Sequence, residues 1–321
     1  MENNRFQCNA ATFMLLTLLL SFAVQGCYKE EFPGNPTVAL VVKTLNNPFF
    51  NDMQDGAEEM ARKLELNLIV QAAEREIDVE QQVQIVENLI QRRVDAILLA
   101  PSGSREVIPV ISKANQAGIP VIILDTRVDE ELLRRDQAEV AVFIGSDNYE
   151  GGVIAATYVG EVLNGSGKVA ILEGIPGHET ADSRQRGFLD GISKFEGVTV
   201  VTSQTANWER SLGYNVFENI LQSYPDLDAV FAASDLMALG AVEAIASSGR
   251  QQGEIVVVGF DAHQEAVEAV RNGSMHATIA QNPREIGQAG VEAASKLLNG
   301  EEVSEEITID IGLVTQESLN H

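Results

Sequence analysis

Cysteine is almost missing from this chain: 321 residues contain two, Cys8 and Cys27. If the N-terminal segment is removed at Cys27, one thiol remains and no internal disulfide can form. Histidine is as scarce, at four. His178 has no second histidine at ligand spacing, His263 and His276 stand alone, and His321 is terminal, so no metal site is expected. Basic residues fall far short of acidic ones, 22 against 47, for a formal charge of −25. That balance argues against nucleic acid or an anionic membrane surface as partner of the folded body, and leaves a small neutral or cationic ligand as the easier guest. A solvated acidic surface suited to high salt is the plainest reading of the charge itself. Signatures of phosphate binding and of serine hydrolases are missing too. GSGK at residues 165–168 lacks the upstream glycine and the following Ser or Thr of a phosphate loop, and it precedes a strand instead of opening a helix. No Gly-x-Ser-x-Gly elbow occurs. No cofactor is implied.

The long apolar run that the chain does have sits near its start. ATFMLLTLLLSFAV follows the polar MENNRFQCNA and leads to Val24-Gln25-Gly26-Cys27. It is short for a membrane span and ends at small residues, the pattern of an export signal over residues 1–27. Val-x-Gly-Cys at that place resembles a bacterial lipobox, whose cysteine is lipidated and becomes the new N-terminus. Gln25 is unusual there and Glu2 offsets Arg5, so plain cleavage nearby is the alternative. A single acyl chain binds membranes only marginally, so an anchor at Cys27 would carry more than one. YKEEFPGNP, residues 28–36, reads as a short tether. The expected location is the periplasm or the outer face of the cell membrane.

From Thr37 onward, apolar runs of strand length alternate with amphipathic stretches. The runs are TVALVV, LNLIVQA, DAILLA, IPVIIL, VAVFIG, KVAILEG, VTVVTS, LDAVFAA, EIVVVG and MHATIA. They are rich in Val and Ile, as parallel strands covered on both faces require, and the alternation predicts an α/β fold of βαβ units. Ten strands suit two lobes better than one sheet. VFIGSDN near residue 146 is a plausible first crossing between them. The lobes are expected at 37–146 with 282–310, and at 147–281 with 311–321.

Polar residues cluster just past the strand ends, where open α/β sheets bind ligands. Lys43 and Asn47 follow the first run, Asp125 follows VIIL, Ser234 and Asp235 follow VFAA, Phe260 and Asp261 follow VVVG, and Gln281 ends ATIAQ. Asn47 is a natural cap for a helix that Pro48 opens. Phe49 and Phe50 point about 100° apart on that helix, so that one ring can join the core and the other face a cleft, unless both are core. Carboxylates from Asp125, Asp235 and Asp261, the Arg184 guanidinium, the amides of Asn47 and Gln281, and the rings of Phe49 or Phe50, Trp208 and Phe260 suit a polyhydroxylated ring. Hydroxyls donate to carboxylates and accept from Arg or amides, while C–H faces pack on aromatic rings. A phosphate would ask for more positive charge. Each residue alone has a plainer role: Asp235 and Asp261 as helix caps, Arg184 as a surface arginine.

Collinear stretches over the whole chain after Pro36 carry a resemblance: VALVVKTLNNPFF, VIILD, SDNYEGG, GIPGHETADSRQRGF, ANWERSLGYNV, FAASDLMALGA, VVVGFD and ATIAQNPREIG. The chain resembles the periplasmic monosaccharide-binding proteins of ABC transporters, of the ribose- and allose-binding type. The resemblance implies two Rossmann-like lobes with parallel sheets, joined by three hinge strands and closing over a sugar, the type I periplasmic binding protein fold. It implies sugar hydrogen bonds from Asn47, Asp125, Arg184, Asp261 and Gln281, and ring packing from Phe49 or Phe50, Trp208 and Phe260. Ribose binders typically have Ser, Asn, Arg and Asn where this chain has Lys43, Ala100, Thr126 and Ser234. Lys43, Ala100 and the longer segment TRVDEELLRRDQAEV are more like the allose binder, whereas Thr126 and Ser234 match neither. Arg127 could stand in for a basic group one position away, but strand alternation turns it to the other side.

The expected protein is therefore no enzyme. It is a monomer that captures ribose, allose or a related sugar and presents the closed form to an ABC permease. A sensing module read by a chemoreceptor or sensor kinase is the first alternative. An exported sugar-acting enzyme using Asp125, Asp235 and Asp261 as acid and base is the remote one. Regulators of the same fold carry an N-terminal helix-turn-helix where this chain has an export signal.

Overall fold

All ten predicted runs form strands, and two short strands near the C-terminus join them. The structure, a computed structural model, describes residues 34–320. The export segment, Cys27 and most of the tether lie outside the described residues. The elements follow in order: β1 Thr37–Thr44, α1 Pro48–Lys63, β2 Asn67–Ala73, α2 Val79–Gln91, β3 Ala96–Leu99, α3 Ile108–Gln116, β4 Val121–Leu124, α4 Glu130–Arg135 and β5 Val142–Ser146. The second series is α5 Asn148–Val162, β6 Ser166–Glu173, α6 Glu179–Ile192, β7 Gly197–Thr205, α7 Arg210–Ser223, β8 Ala229–Ala232, α8 Asp235–Ser247, β9 Val256–Asp261, α9 Gln264–Asn272 and β10 Ala277–Ala280. Then come α10 Pro283–Leu298, β11 Glu306–Ile309 and β12 Gly312–Thr315.

Two six-stranded sheets result, with strand orders β11-β5-β4-β3-β1-β2 and β12-β10-β9-β8-β6-β7. The order of the first series recurs in the second, so the repetition visible in the sequence is also a repetition of topology. Every pairing is parallel except β10 with β12. The chain passes between the sheets three times: after β5, after β10 and between β11 and β12.

Burial on both faces is why the strands read as continuous apolar runs. Along β1, Val38, Leu40 and Val42 pack on the side of α1 and α10, while Ala39 and Val41 pack on the side of α2 and α3. At about 1.5–3 kcal/mol for each large aliphatic side chain withdrawn from water, this double cover dominates the stability of each lobe. β11 and β12 escape the run criterion because they are edge strands of four residues, with patterns half open to solvent.

Helix pairs pack closely enough to set side chains at the sheet ends. A Cβ at Gly187 of α6 would lie 2.0 Å from the carbonyl oxygen of Tyr149, and one at Gly152 of α5 would lie 2.2 Å from that of Arg184. Glycine on both helices brings the backbones together and holds the N-terminal turns of α6, with Arg184, against α5.

Candidate functional site

Asn47 begins the site as predicted for a helix cap. Its Oδ1 accepts from the Phe49 amide at 3.1 Å, with Pro48 in the first turn of α1. The Asn47 Nδ2 is thereby aimed elsewhere, and it donates to Glu76 Oε1 at 2.8 Å. Phe49 and Phe50 resolve the question of which ring is core: both are buried, both line the same cavity, and they meet edge to face with centroids 5.2 Å apart.

Lys43, at the end of β1, donates to Asp125 Oδ2 at 2.9 Å and to the Thr126 hydroxyl at 2.7 Å. Its ammonium also lies 5.5 Å from the Phe50 ring centroid. Burial pushes the Asp125 carboxyl up, but the Lys43 charge and hydrogen bond, Arg184 and the Thr126 hydroxyl together bring it below the ordinary range. From the second sheet, Arg184 donates through Nε to Asn148 Oδ1 at 2.8 Å, and through Nη1 to the Ala233 carbonyl at 2.6 Å and Asp261 Oδ1 at 3.3 Å. Gln281 Nε2 donates to the same Asp261 oxygen at 2.8 Å. Burial raises the Asp261 carboxyl, opposed first by Arg184.

These groups from both sheets meet in one narrow cavity. Lys43, Asn47, Phe49, Phe50 and Asp125 come to it from the first sheet, and Arg184, Trp208, Ser234 and Asp261 from the second. Two residues the sequence reading did not single out, Glu76 and Thr180, complete the lining. Glu76 follows β2, a strand end left out of the polar list because AEREID reads as a solvated loop. Thr180 sits in the quoted GIPGHETADSRQRGF, and its place only becomes visible once α6 is docked.

Three expected contacts stand elsewhere. Asp235 does not line the cavity: it is fully buried, its Oδ1 accepts from the Thr278 hydroxyl at 2.7 Å and its Oδ2 from the His263 amide at 2.8 Å. Burial and the neighbouring Asp261 charge raise its carboxyl well above the ordinary range. Phe260 is fully buried beneath Arg184, and Gln281 lies behind Asp261. Asp235 also does not cap α8; Ser234 does, accepting from the Met237 amide at 3.5 Å. Arg127 lies outside the cavity lining, pairing with Glu306 over the Phe143 ring; it follows the end of β4, where the chain has left the extended conformation at Asp125.

Two features of the cavity lining suit a polar guest. Among the described residues Trp208 Nε1 is buried without a hydrogen-bond partner, a cost that an incoming polar group would remove. Asp125, Trp208 and Asp261 hold positive φ, at 63°, 65° and 112°, conformations that non-glycine residues rarely keep without a reason. Gly174 makes room for the indole, because a Cβ there would lie 2.0 Å from it. Among the described residues no group of histidines, cysteines and carboxylates has the arrangement of a metal centre, and no helix is long and apolar enough to cross a membrane.

Paired cations and carboxylates, three aromatic rings and an unsatisfied polar atom between two doubly wound lobes define a cleft-type binding protein for a small polar ligand. Residues 38–302 match the periplasmic binding protein domain, and the chain belongs to that family. It is 39% identical to the ribose import binding protein of Bacillus subtilis strain 168 over 90% of this chain and 88% of that one. It is 34% identical to the D-allose-binding periplasmic protein of Escherichia coli K12 over 87% and 91%. A crystal structure of an ABC transporter periplasmic solute-binding protein from Actinobacillus succinogenes 130z with bound D-allose matches with a TM-score of 0.85. It has 40% sequence identity and covers 89% of this chain and 100% of that one.

Proposed function

We infer that this protein is an extracytoplasmic solute-binding protein that captures a monosaccharide between its lobes and delivers it to an ABC permease. The observation that carries the reading is the convergence of the Lys43–Asp125 and Arg184–Asp261 pairs, from opposite sheets, on one aromatic-lined cavity. Relatives named for ribose and allose import support an aldose as ligand. The import names give no support to a sensing role, and the solute-binding family sets the enzyme alternative aside.

The ligand contacts we propose are Lys43, Asn47, Phe49, Phe50, Asp125, Arg184, Trp208, Ser234 and Asp261, with Phe260, Gln281 and Asp235 holding them from behind. The lobes are 37–146 with 282–310 and 147–281 with 311–321, the protein is a monomer, and Cys27 carries the lipid anchor. Closure excludes water from the hydrogen bonds, so the ligand binds the closed form better and shifts the population toward it. Charge-assisted bonds and ring packing are enough for micromolar affinity, roughly −8 kcal/mol.

Trp208 is the single tryptophan, so its fluorescence reports on the cavity alone. Titration with ribose, allose, galactose, xylose and fructose should give a saturable change with at least one sugar and raise the melting temperature with it. No response to these or to any other monosaccharide or polyol, amino sugars included, would remove the sugar reading.

A further inference from the structure

The charges of the cavity do not balance. Lys43 pairs with Asp125 and Arg184 with Asp261, each within hydrogen-bonding range and almost fully buried. Glu76 is the third carboxylate in the lining; among the described residues no cation forms an ion pair with it, and the Lys43 charge, already paired with Asp125, acts on it only from a distance. Among the described residues its hydrogen-bond partner is the neutral amide of Asn47, which occupies Oε1.

Position adds to this imbalance. Glu76, Asn47 and Trp208 line both the inner cavity and the wider groove outside it, so Glu76 stands at the mouth. That groove does not supply the missing cation. Its two arginines are already engaged, Arg75 with Asp78 and Arg210 with Glu243 and Glu265, while Glu74, Glu209 and Glu243 add negative charge. A carboxylate partly withdrawn from water and without an ion-pair partner favours either a proton or a cationic guest, and withdrawal from water raises the Glu76 carboxyl against the more distant Lys43 charge and the Asn47 hydrogen bond.

We propose that Glu76 is a specificity-determining residue at the cleft mouth, and that it gives the site a preference for a sugar bearing a protonated amine over the same sugar with a hydroxyl or an acetamido group. The ammonium donates to the free side of the carboxylate, and the inner pairs hold the remaining hydroxyls. The inference rests on the sugar-binding reading of the cleft and refines its ligand class.

Calorimetry on the purified full-length protein with matched sets tests it: glucose, glucosamine and N-acetylglucosamine, the galactose and mannose counterparts, and ribose and allose as neutral references. Slightly acidic buffer keeps the amines protonated. At least one amino sugar should bind about tenfold or more tighter than both its parent and its N-acetyl form, and the advantage should shrink in high salt. Glu76→Gln should abolish the advantage, so that the amino sugar, its parent and its N-acetyl form bind the variant within a few fold of one another. The glutamine keeps an oxygen for Asn47, and an unchanged melting temperature of the unliganded variant shows that it folds.

Binding of neutral sugars with no gain for any amino sugar overturns the proposal and leaves the sugar reading intact. So does an amine advantage that survives in Glu76→Gln. Failure of every sugar, amino or neutral, overturns both.

Discussion

Arg184 lies over Phe260, its guanidinium carbon 3.8 Å from the ring centroid. The ring fixes the plane of the guanidinium, and Asn148, the Ala233 carbonyl and Asp261 fix its rotation within that plane. Phe260 thus acts through Arg184, from the floor of the cleft, instead of packing against a ligand. Gly151 leaves the ring its place, since a Cβ there would meet it at 2.5 Å.

Lysine at position 184 would keep the charge but lose the fork and the stack. Arg184→Lys should lower ligand affinity by about 10–100-fold, in line with the loss of one or two charge-assisted hydrogen bonds. Arg184→Ala leaves Asp261 buried without its cation, and should cost about 3 kcal/mol of stability as well. Calorimetry and urea unfolding separate the two effects.

Trp208→Phe removes one N–H that has no partner among the described residues and keeps an aromatic face. The unliganded variant should be as stable as the parent or slightly more so, because a buried unsatisfied donor is gone. Its affinity should fall by several fold if the ligand accepts from Nε1. Equal affinity with unchanged stability would show that the indole serves only as a surface.

Gly187→Ala places a methyl group 2.0 Å from the Tyr149 carbonyl oxygen. The two helices must part, and such overpacking costs about 1–3 kcal/mol. Because Arg184 is on the displaced helix, the melting temperature and the sugar affinity should fall together.

Acid should weaken the fold from the ordinary histidine range downward. Burial and the Lys43 charge lower the His178 pKa from 6.5 to about 4, against a backbone hydrogen bond at Ser102. Below about pH 6.5 the unfolded chain takes up a proton that the folded one refuses until about 4, so stability is complete above that window and declines as pH falls through it. The upper limit of this loss is roughly 3 kcal/mol. Asp125 acts in the same direction further down: its depressed pKa contributes stability above the ordinary carboxylate range that is lost as pH falls through the folded value. His178→Gln should flatten the upper part of the curve of melting temperature against pH, and Asp125→Asn, which tolerates the left-handed backbone there, the lower part.

Much of the site could be read from the chain because β-strands in an open parallel sheet end at the ligand. Lys43, Asn47, Asp125, Ser234 and Asp261 were found by that rule, and all line the cavity. The rule fails between neighbours. Ser234 and Asp235 are adjacent, yet the first lines the cavity and caps α8 while the second is buried against Thr278 and His263. Phe260 and Asp261 part in the same way, because successive side chains of a strand leave on opposite faces. Glu76 was passed over because nothing in AEREID distinguishes a solvated loop from the rim of a cleft.

Composition and periodicity therefore specify a doubly wound α/β chain, its repeat and the strand ends where a ligand sits, because double-sided burial demands unbroken apolar runs and strand ends need polar residues. That Glu76 reaches the cavity without an ion-pair partner, and that the Lys43–Asp125 and Arg184–Asp261 pairs meet in one cavity, depend on how two distant sheets approach each other. Those are relations between residues far apart in the chain, and no local pattern encodes the distance between them.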